Sequence, residues 1–306
     1  MAVTGDWILT DDEFMKPSYR ISPFSTASIA QNHDLPSATG DEQFFAERHP
    51  GYNQYYLLKA RHGITLALTN LGLSKTDHVT VLTTTGNLYV SGCVTKAIEA
   101  VCQWNRELSN NTRAIVVIHE FGTVYAGMDK LYQFGVPVIE DFAHSFNSAS
   151  AVSGRSDFVI YSFPKYFPIQ YGGLILSREA LSNRPEIDAQ QEEYVRRVVS
   201  AHIQNVGKYA QTRWKNYQYL LSQFAKFSCT PRFEFSDAET PSVFMFCPPE
   251  GIDLIALKTF MQGHGIECSV FYGEHAFFIP LHDRLQQADL DYFVFVYNEF
   301  IKQGML

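Results

Sequence analysis

Residues 114–146 read AIVVIHEFGTVYAGMDKLYQFGVPVIEDFAHSF, and their pattern decides the architecture. Ala114–Ile118 is an unbroken apolar, β-branched run, the pattern of a strand covered on both faces. Met128, Leu131 and Tyr132 then fall at helical spacing, and Val136–Ile139 is a second apolar run, weakened by Pro137. Strand, helix and strand in this order predict a parallel pair joined by a crossover. The second strand runs out at Glu140-Asp141, which puts two carboxylates at its carboxyl end.

The same alternation extends in both directions. Upstream, His78–Leu82 (HVTVL) predicts a strand, and Val94, Ala97, Ile98, Val101 and Leu108 share one helical face. Leu57, Ala60, Ile64, Ala67, Leu68 and Leu71 follow helical spacing, with Gly72 as the stop. Downstream, Asp157–Tyr161 (DFVIY) and Gly173–Leu176 (GLIL) predict two more strands. The expected fold class is α/β, a mainly parallel sheet between helices. Residues up to about Gly51, punctuated by Pro17, Pro23, Pro36, Gly40 and Pro50, are expected to be irregular. After Arg178 the pattern changes. Residues 187–227 predict long helices, and Val243–Cys247, a helix near 252–262, Ile266–Val270 and a helix near 290–301 predict a smaller α+β domain. The expected division is a large domain over 1–190 and a small one over 191–306.

The chain has 306 residues, which at roughly 150 per domain agrees with two. Acidic residues outnumber basic ones by 32 to 24, for a net charge of −8, which argues against a dedicated nucleic-acid binder. Its 24 Phe, 17 Tyr and 3 Trp supply a large core and argue against disorder. The longest apolar runs, such as Tyr292–Tyr297, fall far short of the roughly 18 residues that span a bilayer. The first residues carry four acids before Phe14 and no basic segment followed by an apolar block, so no secretory signal is expected. Five cysteines without a CxxC pair read as reduced thiols of a cytoplasmic protein. His119-Glu120 is not an HExxH site because Thr123 stands where the second histidine belongs, and no metal site is expected.

Two segments carry the chemistry. Open parallel sheets bind ligands at the carboxyl ends of their strands, which is where Asp141 falls; taken alone, it reads first as a cap for the next element. From Phe158 to Ser177 (FVIYSFPKYFPIQYGGLILS) Lys165 is the only formally charged residue, set among Phe163, Pro164, Tyr166, Phe167 and Pro168. A lysine desolvated among aromatics is freed as an amine nucleophile for Schiff-base chemistry, although a turn lysine can also extend to solvent. Ser162 and Lys165 lie 21 and 24 residues after Asp141, and Gly172-Gly173 leads into the next strand. This constellation suits pyridoxal phosphate (PLP): the lysine carries the cofactor, and a carboxylate keeps its pyridine nitrogen protonated. Ser162 and a helix N-terminus can donate to the phosphate.

Three blocks in order resemble the DegT/DnrJ nucleotide-sugar aminotransferases. RHGITLALTNLGLSKTDHVTVL (61–82) is similar to that family's first helix, turn and strand, and residues 114–146 to its strand, His-x-x-Gly turn, helix and E-D-x-A-[HQ] motif. SDFVIYSFPKYFPIQYGGLIL (156–176) is similar to its lysine loop. The resemblance implies a PLP-dependent transferase of fold type I acting as a homodimer. It implies that Lys165 carries the cofactor, Asp141 pairs with the pyridinium nitrogen, His144 lies near the phenolate oxygen and Ala143 packs under the ring. Ser162 would contact the phosphate. Arg61 and His62 fall where the family places phosphate-binding residues, and an exposed helical arginine is an equal reading of Arg61. The implied reaction is amination of a nucleotide-linked keto-sugar, with glutamate as donor, in amino-sugar and polysaccharide biosynthesis.

The chain departs from that family in three places. Ser162 precedes Lys165 by three residues, closer than in many relatives. After HVTVL the family stacks an aromatic on the cofactor, whereas TTTGNLY brings Asn87 or a threonine nearest that place, with Tyr89 the first aromatic. No G-Y-N-x-R-like segment follows the lysine loop, and Gly51-Tyr52-Asn53 has similar letters too early in the chain. Two other readings therefore stand beside an aminotransferase: another PLP reaction such as sugar dehydration, and a non-catalytic protein that kept the fold.

Overall fold

Alternate residues of β4 (Thr112–Ile118) divide between two apolar clusters. Ala114 and Val116 pack with Ile64, Ala67, Leu68 and Ile98, while Ile115 and Val117 pack with Met128, Leu131 and Val138. This is the period-2 alternation of a strand, here with both faces buried. Each such Val or Ile, fully removed from water, contributes about 1.5–3 kcal/mol.

The computed structural model describes residues 17–148 and 154–304. It divides into two compact units, residues 24–207 and the residues from 208 onward with those before Phe24. The division falls after α6 (Ala189–Ile203), so that helix belongs to the larger unit.

In the larger unit a seven-stranded sheet has the order β1-β7-β6-β5-β4-β2-β3. The strands are β1 (Asn53–Leu57), β2 (His78–Thr83), β3 (Gln103–Asn105), β4, β5 (Val138–Asp141), β6 (Phe158–Ser162) and β7 (Gly173–Ser177). β3, β2, β4, β5 and β6 are mutually parallel, and β7 runs antiparallel between β6 and β1. Ile118 is paired with Asp141, Asp141 with Ile160, and Ser162 with Gly173, so β4, β5 and β6 end, and β7 begins, along one edge. Between the strands lie α3 (Ala60–Asn70), α4 (Gly92–Glu99) and α5 (Met128–Gln133).

Three local expectations need correction. Residues 27–48 are not irregular, since they form α1 (Ala27–His33) and α2 (Gly40–Arg48), with Asn32, Asp41 and Phe45 buried. Their short length and low amphipathicity hid them. Leu57 closes β1 rather than opening a helix, because β1 pairs along its whole length with β7. The helical face of 94–108 ends at Glu99; Leu108 is exposed beyond β3. Residues 1–16, which carry the four early acids, lie outside the described residues.

The smaller unit has a four-stranded antiparallel sheet, β10 (Ser269–Val270), β11 (Phe277–Pro280), β9 (Val243–Cys247) and β8 (Thr230–Pro231) in spatial order. The helical segment that runs on to Phe224 in α7 (Val206–Phe224), with α8 (Leu254–Gly263) and α9 (Gln287–Lys302), supplies the helical part of its core. Leu220, Phe224, Phe244, Phe246, Phe277, Val296, Tyr297 and Phe300 are its buried centre. Among the described residues no helix is long and apolar enough to cross a membrane.

Candidate active site

The carboxyl edge of the parallel strands collects the residues singled out above. Asp141, the last residue of β5, is buried, and its Oδ1 accepts the Ala143 N–H at 2.8 Å. Burial raises its pKa above the ordinary carboxylate range, an effect opposed by the Ala143 N–H, by His119 and by the positive charge of Lys165. Its neighbour Glu140 has different surroundings. Its carboxylate accepts from His119 Nε2 at 2.9 Å, from the Tyr132 hydroxyl at 3.1 Å and from the Ser156 hydroxyl. Burial alone would push Glu140 up, but these bonds hold it below its ordinary pKa. Tyr125 N–H donates to His119 Nδ1 at 3.1 Å, so the ring proton sits on Nε2.

Lys165 stands one strand away. Ser162 ends β6, and Phe163–Lys165 form a 3-10 turn that Pro164 starts with its fixed φ. Phe163, Tyr166 and Phe167 are buried, whereas Ser162 and Lys165 are half-buried at the strand edge. The turn is held by Tyr166 N–H and Phe167 N–H to Phe163 O, at 2.9 and 2.8 Å. The two glycines that follow have steric reasons. Gly172 has φ +119°, a region that L-residues avoid. A Cβ on Gly173 would lie 2.7 Å from Tyr161 O and 3.1 Å from Ala60 N and Cα. The close approach brings the first turn of α3 against the start of β7, at the edge where Asp141 and Ser162 end their strands.

Arg61 and His62 are exposed in that first turn. His62 lines an open crevice of about 570 Å³ with Thr65, Leu66, Thr69 and residues 182–186. Partial burial, then the charges of Lys59 and Arg61, lower its pKa. Asn87 lies in the turn after β2, where its side-chain oxygen accepts the Tyr89 N–H at 2.8 Å and its carbonyl accepts Arg106 Nη2 at 2.6 Å. Ala143 and His144 are half-buried just past Asp141, and the His144 ring lies 5.0 Å from that of Phe121, centroid to centroid. Asp141, Ala143, His144, Ser162 and Lys165 thus come together at the ends of β5 and β6, whereas the His62 side chain lines a crevice beside α3.

Sequence reading passed over three participants. Glu120 is buried and accepts the Thr85 N–H and hydroxyl at 2.9 and 2.7 Å, tying the exit of β2 to that of β4. Arg106 braces the same turn with a second bond, to Thr83 Oγ1 at 2.9 Å. Ser145 clamps the turn after β4. Of the three, Glu120 alone carries a signal in the sequence, as a carboxylate just past an apolar strand. Among the described residues no group of three or more His, Cys, Asp or Glu could hold a metal ion.

No protein-family model matches the chain, and no curated protein matches it. Solved structures do. The aminotransferase TlmJ from Streptoalloteichus hindustanus is 14% identical, with 94% of this chain and 100% of that one covered and a TM-score of 0.74. NtdA from Bacillus subtilis, with bound cofactor PMP, is 12% identical over 96% of this chain and 87% of that one, with a TM-score of 0.69. A DegT DnrJ EryC1 StrS aminotransferase from Brucella abortus is 11% identical over 90% and 93%, with a TM-score of 0.65. At such identities the likeness is one of fold. The chain has the fold of the DegT/DnrJ/EryC1/StrS aminotransferases, PLP fold type I.

Proposed function

We propose that this protein is a PLP-dependent aminotransferase acting on a nucleotide-linked keto-sugar, with glutamate as amino donor. One observation carries the reading. A buried carboxylate ends β5, and a lysine stands on the turn after the adjacent parallel strand β6, at the same edge of the sheet.

The residues present fit the cofactor. The Asp141 side chain has a single hydrogen bond from the described residues and a pKa raised by burial, so it is a buried carboxylate that a cationic N–H would complete. When bound, PLP supplies an electron sink for the carbon bearing the transferred amine. Asp141 would hold the ring nitrogen. Lys165 would carry the cofactor through its Nζ and, when released, move a proton at the substrate carbon. The Ser162 hydroxyl and the backbone N–H groups that open α3 would hold the phosphate, with Arg61 and His62 beside them. Ala143 would pack under the ring and His144 would face its phenolate side. Asn87 would stand where relatives place an aromatic, on a turn braced by Arg106 and Glu120.

The sugar substrate and the amino donor are argued from resemblance, as are amino-sugar and polysaccharide biosynthesis. A homodimer is supported by Leu88 and Tyr89, which are 75% and 46% exposed in the turn after β2. Free cysteines, with Cys102, Cys229 and Cys268 buried, agree with a reducing cytoplasm.

The test is spectroscopic. PLP added to the protein is expected to produce a visible absorbance band that borohydride bleaches, and peptide mapping is expected to place the reduced pyridoxyl group on Lys165. Absence of a band, or label on another lysine, would overturn the reading.

A further inference from the structure

The turn that leaves β4, His119-Glu120-Phe121-Gly122-Thr123, is anchored on both sides of Phe121. His119 donates to Glu140 and accepts from Tyr125 N–H. Glu120 accepts from Thr85, and its own N–H donates to Thr84 Oγ1 at 3.1 Å. Ser145 Oγ accepts the Gly122 N–H at 3.1 Å and lies 2.9 and 3.1 Å from the carbonyls of His119 and Thr123. Ser148 donates to the Gly122 carbonyl, and Thr123 Oγ1 donates to Glu120 O at 2.6 Å.

Phe121, at the centre of the turn, has a strained backbone. Its φ is +49°, one of two positive values on non-glycine residues among those described. A bulky side chain in this region costs on the order of 1–3 kcal/mol and persists only where surroundings over-determine it. Here the surroundings are the four anchored neighbours. The result is a half-buried ring set against His144, with centroids 5.0 Å apart and planes at 51°. Ser145, the clamp, is the residue after His144, so one short segment holds both the strained turn and the imidazole it meets.

We infer that Phe121 is a positioning residue that fixes the His144 ring at the edge of the candidate site, the strain in its backbone being what aims it there. The catalytic part of this inference rests on the proposed cofactor reading; the geometric part does not. A glycine at this position would relieve the strain and lose the ring, and an alanine would keep the strain and lose the ring. Tyrosine would keep both strain and ring.

The experiment begins without cofactor. In protein labelled with ¹³C-histidine, the His144 resonances, assigned by their loss in His144→Gln, are expected to be displaced by the Phe121 ring. They should shift in Phe121→Ala and Phe121→Gly, and return in Phe121→Tyr. Phe121→Gly is expected to unfold at a higher temperature than Phe121→Ala. Unmoved His144 resonances in both variants would overturn the inference, whatever the protein binds. With PLP loaded, Phe121→Ala should slow single-turnover amine transfer about tenfold while cofactor affinity stays within about threefold. The same change in a His144→Gln background should add little, since the two act as one unit. Losses that simply multiply would show that Phe121 does not act through His144. A wild type that gives no cofactor band but shows the displaced His144 resonances would remove the proposed function and leave the positioning relation standing.

Discussion

Glu140 and Asp141 are consecutive on β5, yet one is a saturated structural carboxylate and the other is held in reserve. The Glu140 carboxylate collects hydrogen bonds from His119, Tyr132 and Ser156, whereas the Asp141 carboxylate receives only the Ala143 N–H among the described residues. A strand turns successive side chains to opposite faces, so adjacent carboxylates meet separate environments. Here the first ties β5 to its neighbours and the second ends at the site edge.

Asp141→Asn is expected to leave the fold intact, because the amide can still accept from Ala143 N–H. It should slow the half-reaction with an amino-acid donor by at least about tenfold, about 1.4 kcal/mol of barrier, since a neutral partner no longer favours a charged ring nitrogen. Single-turnover kinetics measure this. An unchanged rate would return Asp141 to a capping role.

Lys165→Ala should abolish the visible cofactor band and turnover while leaving the unfolding midpoint near that of the wild type. Lys165 is half-buried, and its loss opens no large cavity. Absorbance and circular dichroism on one preparation separate the two effects.

Gly173→Ala places a methyl against backbone rather than against a movable side chain, with Tyr161 O at 2.7 Å and Ala60 N at 3.1 Å. The first turn of α3 must move. A cost of about 1–3 kcal/mol is expected in chemical denaturation, together with weaker PLP binding. Retained affinity would separate the opening of α3 from the phosphate site.

Acidification should destabilise the larger unit through His49 and Glu140 in turn. His49 is buried, donates to or accepts from the Tyr161 hydroxyl at 2.8 Å, and has its pKa lowered to about 4, first by burial and then by Arg48. Between its ordinary value of 6.5 and about 4 the unfolded chain binds a proton that the folded one does not, so stability falls with pH across that window, by at most about 3 kcal/mol. Glu140 acts lower. Its folded pKa is depressed, so its contribution is complete above its ordinary value and is lost as pH falls through the folded one. His49→Gln should flatten the dependence of the unfolding midpoint on pH above about 4 and leave the lower limb. A profile unchanged by that substitution would assign the upper window to other groups.

The sequence alone determined the succession of buried strands and the place of Asp141 and Lys165 on it. Apolar runs of β-branched residues record burial on both faces, and a lone charge among aromatics stands out without coordinates. The same one-dimensional record could not separate Glu140 from Asp141, because the partners that saturate Glu140 come from Tyr132, Ser156 and His119 on other segments. Nor could it reveal β1, whose letters NQYYL become a strand only by pairing with β7. The left-handed backbone of Phe121 had no signal at all. A positive φ on phenylalanine contradicts its local preference, and the bonds that Glu140, Thr85, Ser145 and Ser148 make to the turn, each brought in by the fold, help outweigh that preference.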